Sequence, residues 1–269
     1  MVELIDEELK NIGRQSSKGN QLKGLKDSKW YKADYTGYEG LAEYVISALL
    51  QKTSLNDDEF VKYELVEISY KGNIFKGAES YDFLSEDWQI ITLEKLFRNA
   101  YGRGLNSIIY STGNHIKRVE NLVEQVIRIT NIQDFGVYIQ KMFAIDAFFL
   151  NEDRHTHNIA VLMNGKGEYK KCPIFDNGAG LLSDTTLDYP MGKDPIELIK
   201  DVKAKSVCQS FDEQLEIAER LYGNNIRFFF TKKDVDSILD NVDLYEKEII
   251  ERVRIVIYEQ MRKYSYLFK

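Results

Sequence analysis

Two acids and an amide near the middle of the chain have the side chains and the spacing to hold a divalent cation. Asp153 and Asn158 lie five positions apart in one polar loop, and Asp176 stands in a second polar turn of the same stretch, residues 145–182. Between the loops run two short segments of strand character joined by Asn164-Gly165-Lys166-Gly167, which predicts a hairpin. Pairing the strands sets the end before Ile159 beside the end after Phe175, so the three oxygen-bearing side chains are expected to converge at one edge. Such a set suits Mg²⁺, a hard cation that takes oxygen ligands and shares them with phosphate. Asp, Asn and Gly are also ordinary turn residues. It is both acids, the hairpin between them and the apolar helix leading in that together favour a site. A calcium loop is not expected, because no D-x-[DN]-x-[DN]-G run with a closing Glu is present.

The sequence around these residues reads FFLNEDRHTHNIAVL and then PIFDNGAGLLSD, with DYP following. The five-residue gap from Asp153 to Asn158, followed by D-N-G at Asp176, matches the order in which kinases place a catalytic Asp, a metal-binding Asn and a second metal-binding Asp. The D-R-H-x-x-N loop resembles that of the phosphoinositide kinases and, more closely, that of the HipA-like bacterial Ser/Thr protein kinases. The resemblance implies a two-lobed protein-kinase-like α+β fold that uses ATP and Mg²⁺. It implies that Asp153 accepts or orients the proton of the substrate hydroxyl, and that Asn158 and Asp176 hold Mg²⁺ across the β- and γ-phosphates. Arg154 is open to three roles: pairing with a phosphorylated residue, pairing with Asp176, or bracing the loop. His155, grouped with Asp153 in the catalytic set, is expected to pack beneath the loop through a hydrogen bond from one ring nitrogen. His157 has no assigned task.

Upstream, residues 12–23 are rich in Gly, Ser and Asn, which lets backbone N–H groups turn toward a phosphate, although such clusters are commonly plain solvated loops. G-x-x-x-x-G-K-[ST] is absent. HipA-like kinases carry S-x-x-G-x-Q-x-K in this place, and Ser16, Gly19, Gln21 and Lys23 match it. The resemblance implies that Ser16, Ser17, Gly19 and Gln21 contribute to ATP binding, and that Ser16 is a candidate for autophosphorylation. A strand predicted over residues 29–35 holds Lys32, the candidate to brace the phosphates, with Lys29 as rival. A helix predicted over 38–52 offers Glu39 and Glu43, one turn apart, as alternative partners for Lys32. Glu39 could instead favour the helix dipole. Residues 77–83, with Glu79 and Tyr81, are expected to leave the sheet where a kinase hinge passes the adenine, or else to form an ordinary strand-to-helix connection.

Strands are predicted over 60–70 and 74–76 on period-two alternation. Helices are predicted over 93–100, 116–129, 135–150, 211–221, 232–239 and 244–267, with residues 183–195 between them reading as a long loop. The expected division is a nucleotide-binding lobe over 1–85 and a helical lobe over 86–269 carrying a catalytic hairpin at 151–178. At 269 residues and 43% hydrophobic content, the chain can bury one large core or two modest ones. A net charge of −7 argues against direct nucleic-acid binding, which needs a basic face to displace counterions. No run approaches the roughly 20 apolar residues of a membrane span. The acidic start, MVELIDEELKNIG, does not read as a signal peptide. Cys172 and Cys208 make neither a disulfide framework nor a metal-ligand spacing, so a reduced, cytoplasmic setting is expected.

The resemblance further implies a protein Ser/Thr hydroxyl as acceptor. The family includes toxins of toxin–antitoxin pairs that phosphorylate translation factors, so such a substrate and an antitoxin partner are among the expectations. The alternatives are a small-molecule or lipid phosphotransferase and a non-catalytic pseudokinase that binds partners.

Overall fold

The computed structural model describes residues 1–9 and 21–269, the side chains of residues 106 and 108 excepted. In chain order the strands and helices are β1 (Val2–Glu3), β2 (Lys23–Lys26), β3 (Lys29–Ala33), α1 (Glu39–Leu50), β4 (Glu64–Tyr70), β5 (Asn73–Tyr81) and β6 (Trp88–Thr92). There follow α2 (Leu93–Tyr101), α3 (Leu105–Ile109), α4 (His115–Thr130), α5 (Phe135–Phe149), β7 (Ala160–Asn164) and β8 (Tyr169–Lys171). The last elements are α6 (Pro195–Ile199), α7 (Phe211–Tyr222), α8 (Lys232–Asp240), α9 (Lys247–Lys263) and a 3₁₀ turn, Ser265–Phe268. The fold is α+β and divides into two compact units. One comprises Met1–Phe83, Phe175–Val202 and Arg227–Lys269; the other comprises Leu84–Ile174 and Lys203–Ile226.

The first unit is built on a five-stranded sheet of order β1-β4-β5-β3-β2, antiparallel except for the β1–β4 pair. Two tight hairpins set its register. Asp27 and Ser28 between β2 and β3, and Lys71 and Gly72 between β4 and β5, all take positive φ. Consecutive left-handed residues make the two-residue turn whose twist matches that of the strands it joins. Along β3 the side chains alternate: Tyr31 and Ala33 enter a core with Leu4 and Ile68. Lys32 faces the other way, opposite Ala78 of β5, on the face where Ala78 packs with Val61 and Tyr63.

Helix α1 approaches β5 at two glycines. A Cβ at Gly40 would sit 2.5 Å from the Gly77 carbonyl carbon, and one at Gly77 would sit 2.2 Å from the Lys32 carbonyl oxygen. Real Cβ atoms do not come so near, so the bare Gly40 lets α1 lie against β5, and the bare Gly77 lets β5 lie against β3. Together they bring the first turns of α1 against the strand pair that carries Lys32.

The sheet corrects two expectations. Residues 77–83 do not leave it after Lys76: β5 runs on to Tyr81, paired with β3 on one side and, as far as Glu79, with β4 on the other. Strand β4 begins at Glu64 rather than residue 60, while Phe60, Val61 and Tyr63 are buried ahead of it. Residues 183–195 hold no strand or helix before α6, yet they are pinned. Thr185 and Thr186 donate backbone N–H bonds to the Thr36 carbonyl, and Arg252 of α9 donates to the Tyr189 and Pro190 carbonyls.

The second unit centres on α5, whose Phe135, Phe143, Phe148 and Phe149 are fully buried. Each such ring removed from water contributes about 1.5–3 kcal/mol. Around it lie α4, α7 and a three-stranded antiparallel sheet of order β6-β7-β8. The β7–β8 hairpin is the one predicted from the Asn164–Gly167 turn. Strand β6, which pairs with β7 from Trp88↔Asn164 to Thr92↔Ala160, was not predicted.

Candidate active site

In the first unit, β3, α1 and the turn at Asp176 bring three predicted residues into direct contact. Lys32 Nζ donates to Glu43 Oε1 at 2.9 Å and to Asp176 Oδ1 at 2.8 Å. The other oxygen of Glu43, Oε2, accepts the backbone N–H of Asn177 at 2.9 Å, so one carboxylate ties the lysine and the D-N-G turn to α1. Asp176 itself has φ of 62°, a left-handed conformation that Asp and Asn tolerate better than other side chains. Its N–H donates to the Tyr63 hydroxyl at 3.4 Å.

Burial alone would depress the Lys32 ammonium, but Asp176 and Glu43 outweigh it and hold the group charged well above its usual range. Burial, reinforced by Glu43, pushes the Tyr63 hydroxyl up as well, keeping it neutral where it accepts the Asp176 N–H.

The exposures form a gradient: side chains are 3% exposed for Glu43, 14% for Lys32 and 29% for Asp176. The carboxylate nearest solvent is therefore Asp176. With one cation and two carboxylates, the cluster carries a formal charge of about −1, as expected where a divalent cation is to bind. A hard oxygen donor at the open end of a buried charge pair fits Mg²⁺.

The choice between the two candidate glutamates is decided by geometry. Glu39 turns away from Lys32 and accepts the backbone N–H groups of Tyr35, Thr36 and Gly37 together with the Thr36 hydroxyl. It fixes the chain entering α1, while the Gly40 N–H of the first turn goes to Asp34 Oδ1. Lys29, the rival to Lys32, pairs with Glu79 at 2.5 Å. Tyr81 at the end of β5 is exposed, with Lys29 Nζ 4.9 Å from its ring centroid. Gln21 donates from Nε2 to the Ala33 carbonyl at 2.8 Å. Ser16, Ser17 and Gly19 lie outside the described residues.

In the second unit, the loop after α5 presents Asp153, His155 and Asn158. Helix α5 closes at Leu150 with φ of 57°. Asn158 donates its amide to the Asp153 carbonyl at 2.8 Å and reaches Asp153 Oδ2 at 3.3 Å. With its nitrogen turned to Asp153, Asn158 has its side-chain oxygen as the group suited to a metal. His155 is part-exposed rather than packed beneath the loop. Its Nδ1 accepts the His157 N–H at 3.2 Å, so the proton sits on Nε2, which faces Asp153 Oδ1 at 3.7 Å.

Arg154 is the residue that shapes this loop. It is 1% exposed and its Nε lies 3.1 and 3.2 Å from the two oxygens of Asp146 on α5. Its Nη1 donates to the Asn158 carbonyl at 3.2 Å, and its own carbonyl accepts the Ser206 hydroxyl at 2.5 Å. Asn151 adds a bond to Asp146 Oδ1 at 2.9 Å. Of the three roles open to Arg154, this geometry gives the loop brace. Burial pushes the Asp146 carboxyl up in spite of Arg154, the mark of a charge held in a dry interior.

Sequence reasoning missed Tyr63, Asp146 and Ser206. Asp146 did carry a signal, since an acid inside FAIDAFF must find a buried partner. Tyr63 and Ser206 carried none.

These arrangements sit on a kinase-like α+β fold. A solved structure of the Helicobacter pylori proinflammatory kinase CtkA matches with a TM-score of 0.65 and 18% identity, over 97% of this chain and 95% of that one. A chain of the Shewanella oneidensis MR-1 toxin–antitoxin complex of HipA, HipB and operator DNA matches with a TM-score of 0.49 and 9% identity, over 97% of this chain and 63% of that one. No family model and no curated protein sequence matches the chain. Among the described residues, no helix is long and apolar enough to cross a membrane.

Proposed function

We propose that the protein is an ATP- and Mg²⁺-dependent kinase that transfers the γ-phosphoryl group to a Ser or Thr hydroxyl of a protein. The observation that carries the reading is the Lys32–Glu43–Asp176 arrangement on a kinase-like fold. Phosphoryl transfer asks mainly for positioning and charge neutralisation, and these residues are of the right kinds. Lys32, held by Glu43, braces the α- and β-phosphates. On the sequence resemblance, Asp176 and Asn158 would hold Mg²⁺, which when bound would neutralise charge on the transferring phosphate. Asp153 accepts or orients the proton of the acceptor hydroxyl, with the Nε2 proton of His155 beside it. Glu79 and Tyr81, at the end of β5, are the residues proposed for the adenine side. The sequence resemblance makes Ser16, Ser17, Gly19 and Gln21 candidates to bind the nucleotide, and Ser16 a candidate for autophosphorylation.

A protein acceptor such as a translation factor, and an antitoxin partner, belong to the proposal on the strength of the sequence resemblance. A small-molecule or lipid phosphotransferase remains the second reading because it shares the D-R-H-x-x-N loop. The presence of Lys32, Glu43, Asp153, Asn158 and Asp176 together speaks against a non-catalytic binding module.

Calorimetry tests the nucleotide and metal assignment. Wild type is expected to bind ATP with Mg²⁺ and to lose most of that affinity without it, and Asp176→Ala to lose the Mg²⁺-dependent part. Equal affinity in all arms overturns the assignment. Mass spectrometry after incubation with ATP and Mg²⁺ tests Ser16, where a phosphate would add about −1.5 to −2 charge close to the nucleotide phosphates. An unmodified Ser16 in a preparation that phosphorylates other substrates removes the regulatory role.

A further inference from the structure

His115, Cys208 and Glu213 come together in the second unit although nearly a hundred residues separate the first from the others. One ligand atom from each lies within 4.8 Å of the other two, and among the described residues no other three His, Cys, Asp or Glu side chains are so grouped. His115 opens α4, behind an N-cap at Asn114 whose side chain accepts the Lys117 N–H. Glu213 lies in the first turn of α7, its N–H accepted by the N-cap hydroxyl of Ser210. Both side chains are therefore carried on capped helix starts. Cys208 lies between them on a segment with a fixed backbone. Arg118 Nη1 donates to the Val207 carbonyl at 2.9 Å, Tyr110 donates its hydroxyl to the Ser206 carbonyl at 3.1 Å, and the Ala204 N–H bonds the Gln209 carbonyl.

The three side chains are an imidazole, a thiol and a carboxylate. We propose that His115, Cys208 and Glu213 form a zinc-class metal site, with water as the fourth ligand. A nitrogen, a sulfur and an oxygen donor suit a borderline-soft ion and not Mg²⁺ or Ca²⁺, which take oxygen. Tetrahedral ligands on zinc stand about 3.3–3.8 Å apart, so the grouping needs a closure of about an ångström from its widest spacing. His115 Nδ1 and Glu213 Oε1 now share a proton at 2.6 Å. A metal takes the place of that proton, which leaves to solvent while the neutral ring takes one up at Nε2, and opens the pair slightly. Both side chains have room to do this, being 34% and 47% exposed, while Cys208 is 6% exposed and forms the floor.

On binding, the Cys208 thiol gives up its proton to solvent, Sγ gains a bond to the metal, and the weak bond from Sγ to the Ser210 carbonyl is released. The thiolate and Glu213 together neutralise the divalent charge. The metal would tie the starts of α4 and α7 to the segment whose Ser206 holds the Arg154 carbonyl. It would thus stiffen the support of the Asp153 loop. The site does not depend on the kinase reading.

Cobalt(II) titration of the full chain, with zinc competition, tests it. Wild type should take up one equivalent with tetrahedral d–d bands and a thiolate-to-cobalt charge-transfer band, and stoichiometric zinc should erase both. The charge-transfer band should vanish in Cys208→Ser and weaken sharply in His115→Gln and Glu213→Gln. It should survive in Cys172→Ser, and in Asp176→Ala, which removes the proposed oxygen site. Zinc should raise the thermal midpoint of wild type and not of Cys208→Ser. A wild-type spectrum without the charge-transfer band, or a band unchanged in Cys208→Ser or in His115→Gln, overturns the proposal.

Discussion

The Lys32 cluster and the Arg154 brace are both charge pairs of similar length, and they are built for opposite ends. Arg154 and Asp146 are 1% and 0% exposed, and the guanidinium bonds Asp146 on the helix before the loop and the Asn158 carbonyl within it. Lys32 bridges two carboxylates that grade from 3% to 29% exposure. A pair sealed on all sides can only hold its own loop in place. A pair open at one end can exchange a partner, and under the proposed function Lys32 passes from Asp176 to a phosphate without leaving Glu43. The difference in burial, more than the difference in residue type, separates the brace from the binding group.

The largest expected effect breaks the sealed pair. Arg154→Ala leaves Asp146 charged in a dry interior, and chemical denaturation should show a loss of about 3–5 kcal/mol. The double variant Asp146→Leu/Arg154→Met should recover most of that stability, because no uncompensated charge remains. A loss below about 1 kcal/mol in Arg154→Ala would mean the pair is no brace.

Next comes a pH effect at a buried acid of the first unit. Asp34 accepts the Gly40 N–H at 2.6 Å and the Tyr245 hydroxyl at 2.8 Å, linking the start of α1 to the chain before α9. Burial pushes its carboxyl up to about 7 in spite of those bonds. A value raised on folding means that the native state binds the extra proton. The stabilisation is complete below the ordinary carboxylate range, about pH 4, and is lost as pH rises through 7. Wild type should therefore lose about 1–3 kcal/mol more than Asp34→Asn between about pH 4 and pH 8. Parallel stability curves for the two proteins would remove Asp34 as the titrating group.

A smaller effect separates the two glutamates of α1. Glu39→Gln weakens the hydrogen bonds that fix the chain entering α1 and should cost about 0.5–1.5 kcal/mol in thermal or denaturant unfolding while nucleotide binding persists. Glu43→Gln should instead impair nucleotide binding, because Lys32 loses its fixed counter-charge. Reversal of that order would put the functional pair at Glu39.

The smallest stability change is expected at the open end of the cluster. Asp176→Asn keeps a residue that tolerates the left-handed backbone and leaves Lys32 with Glu43. Its unfolding free energy should stay within about 1 kcal/mol of wild type, while Mg²⁺-dependent nucleotide binding falls. A variant that unfolds would make Asp176 a structural residue like Asp146.

These contrasts mark what could be read from the sequence. The contacts of Lys32 with Asp176 and of Asn158 with Asp153 join residues that local order along the chain had singled out, and the hairpin between the two loops was legible in the same way. The kinase-like α+β fold followed from the same motifs. The continuation of β5 past Gly77 was not legible, since Gly-Ala-Glu-Ser carries no strand period and holds its place through neighbours on both sides. The partner of Arg154 lies eight residues back, in a helix end, MFAIDAFF, that is apolar apart from that acid. Glu39 and Glu43 are separated only by what the chain before α1 does with its N–H groups, which periodicity does not encode. The grouping of His115 with Cys208 and Glu213 is a product of helix packing and leaves no spacing to read.

The central claim is that Asp153 acts on the acceptor hydroxyl in a phosphoryl transfer. The most direct measurement is transfer of label from γ-labelled ATP, with Mg²⁺ and cell extract, by wild type and Asp153→Asn at matched ATP occupancy. The account predicts labelled protein with wild type and a rate about 10²–10⁴-fold lower with the variant, whose ATP affinity and thermal midpoint stay close to wild type. Transfer at an undiminished rate by Asp153→Asn, or no labelled product from a wild-type protein that binds ATP and Mg²⁺, would contradict it.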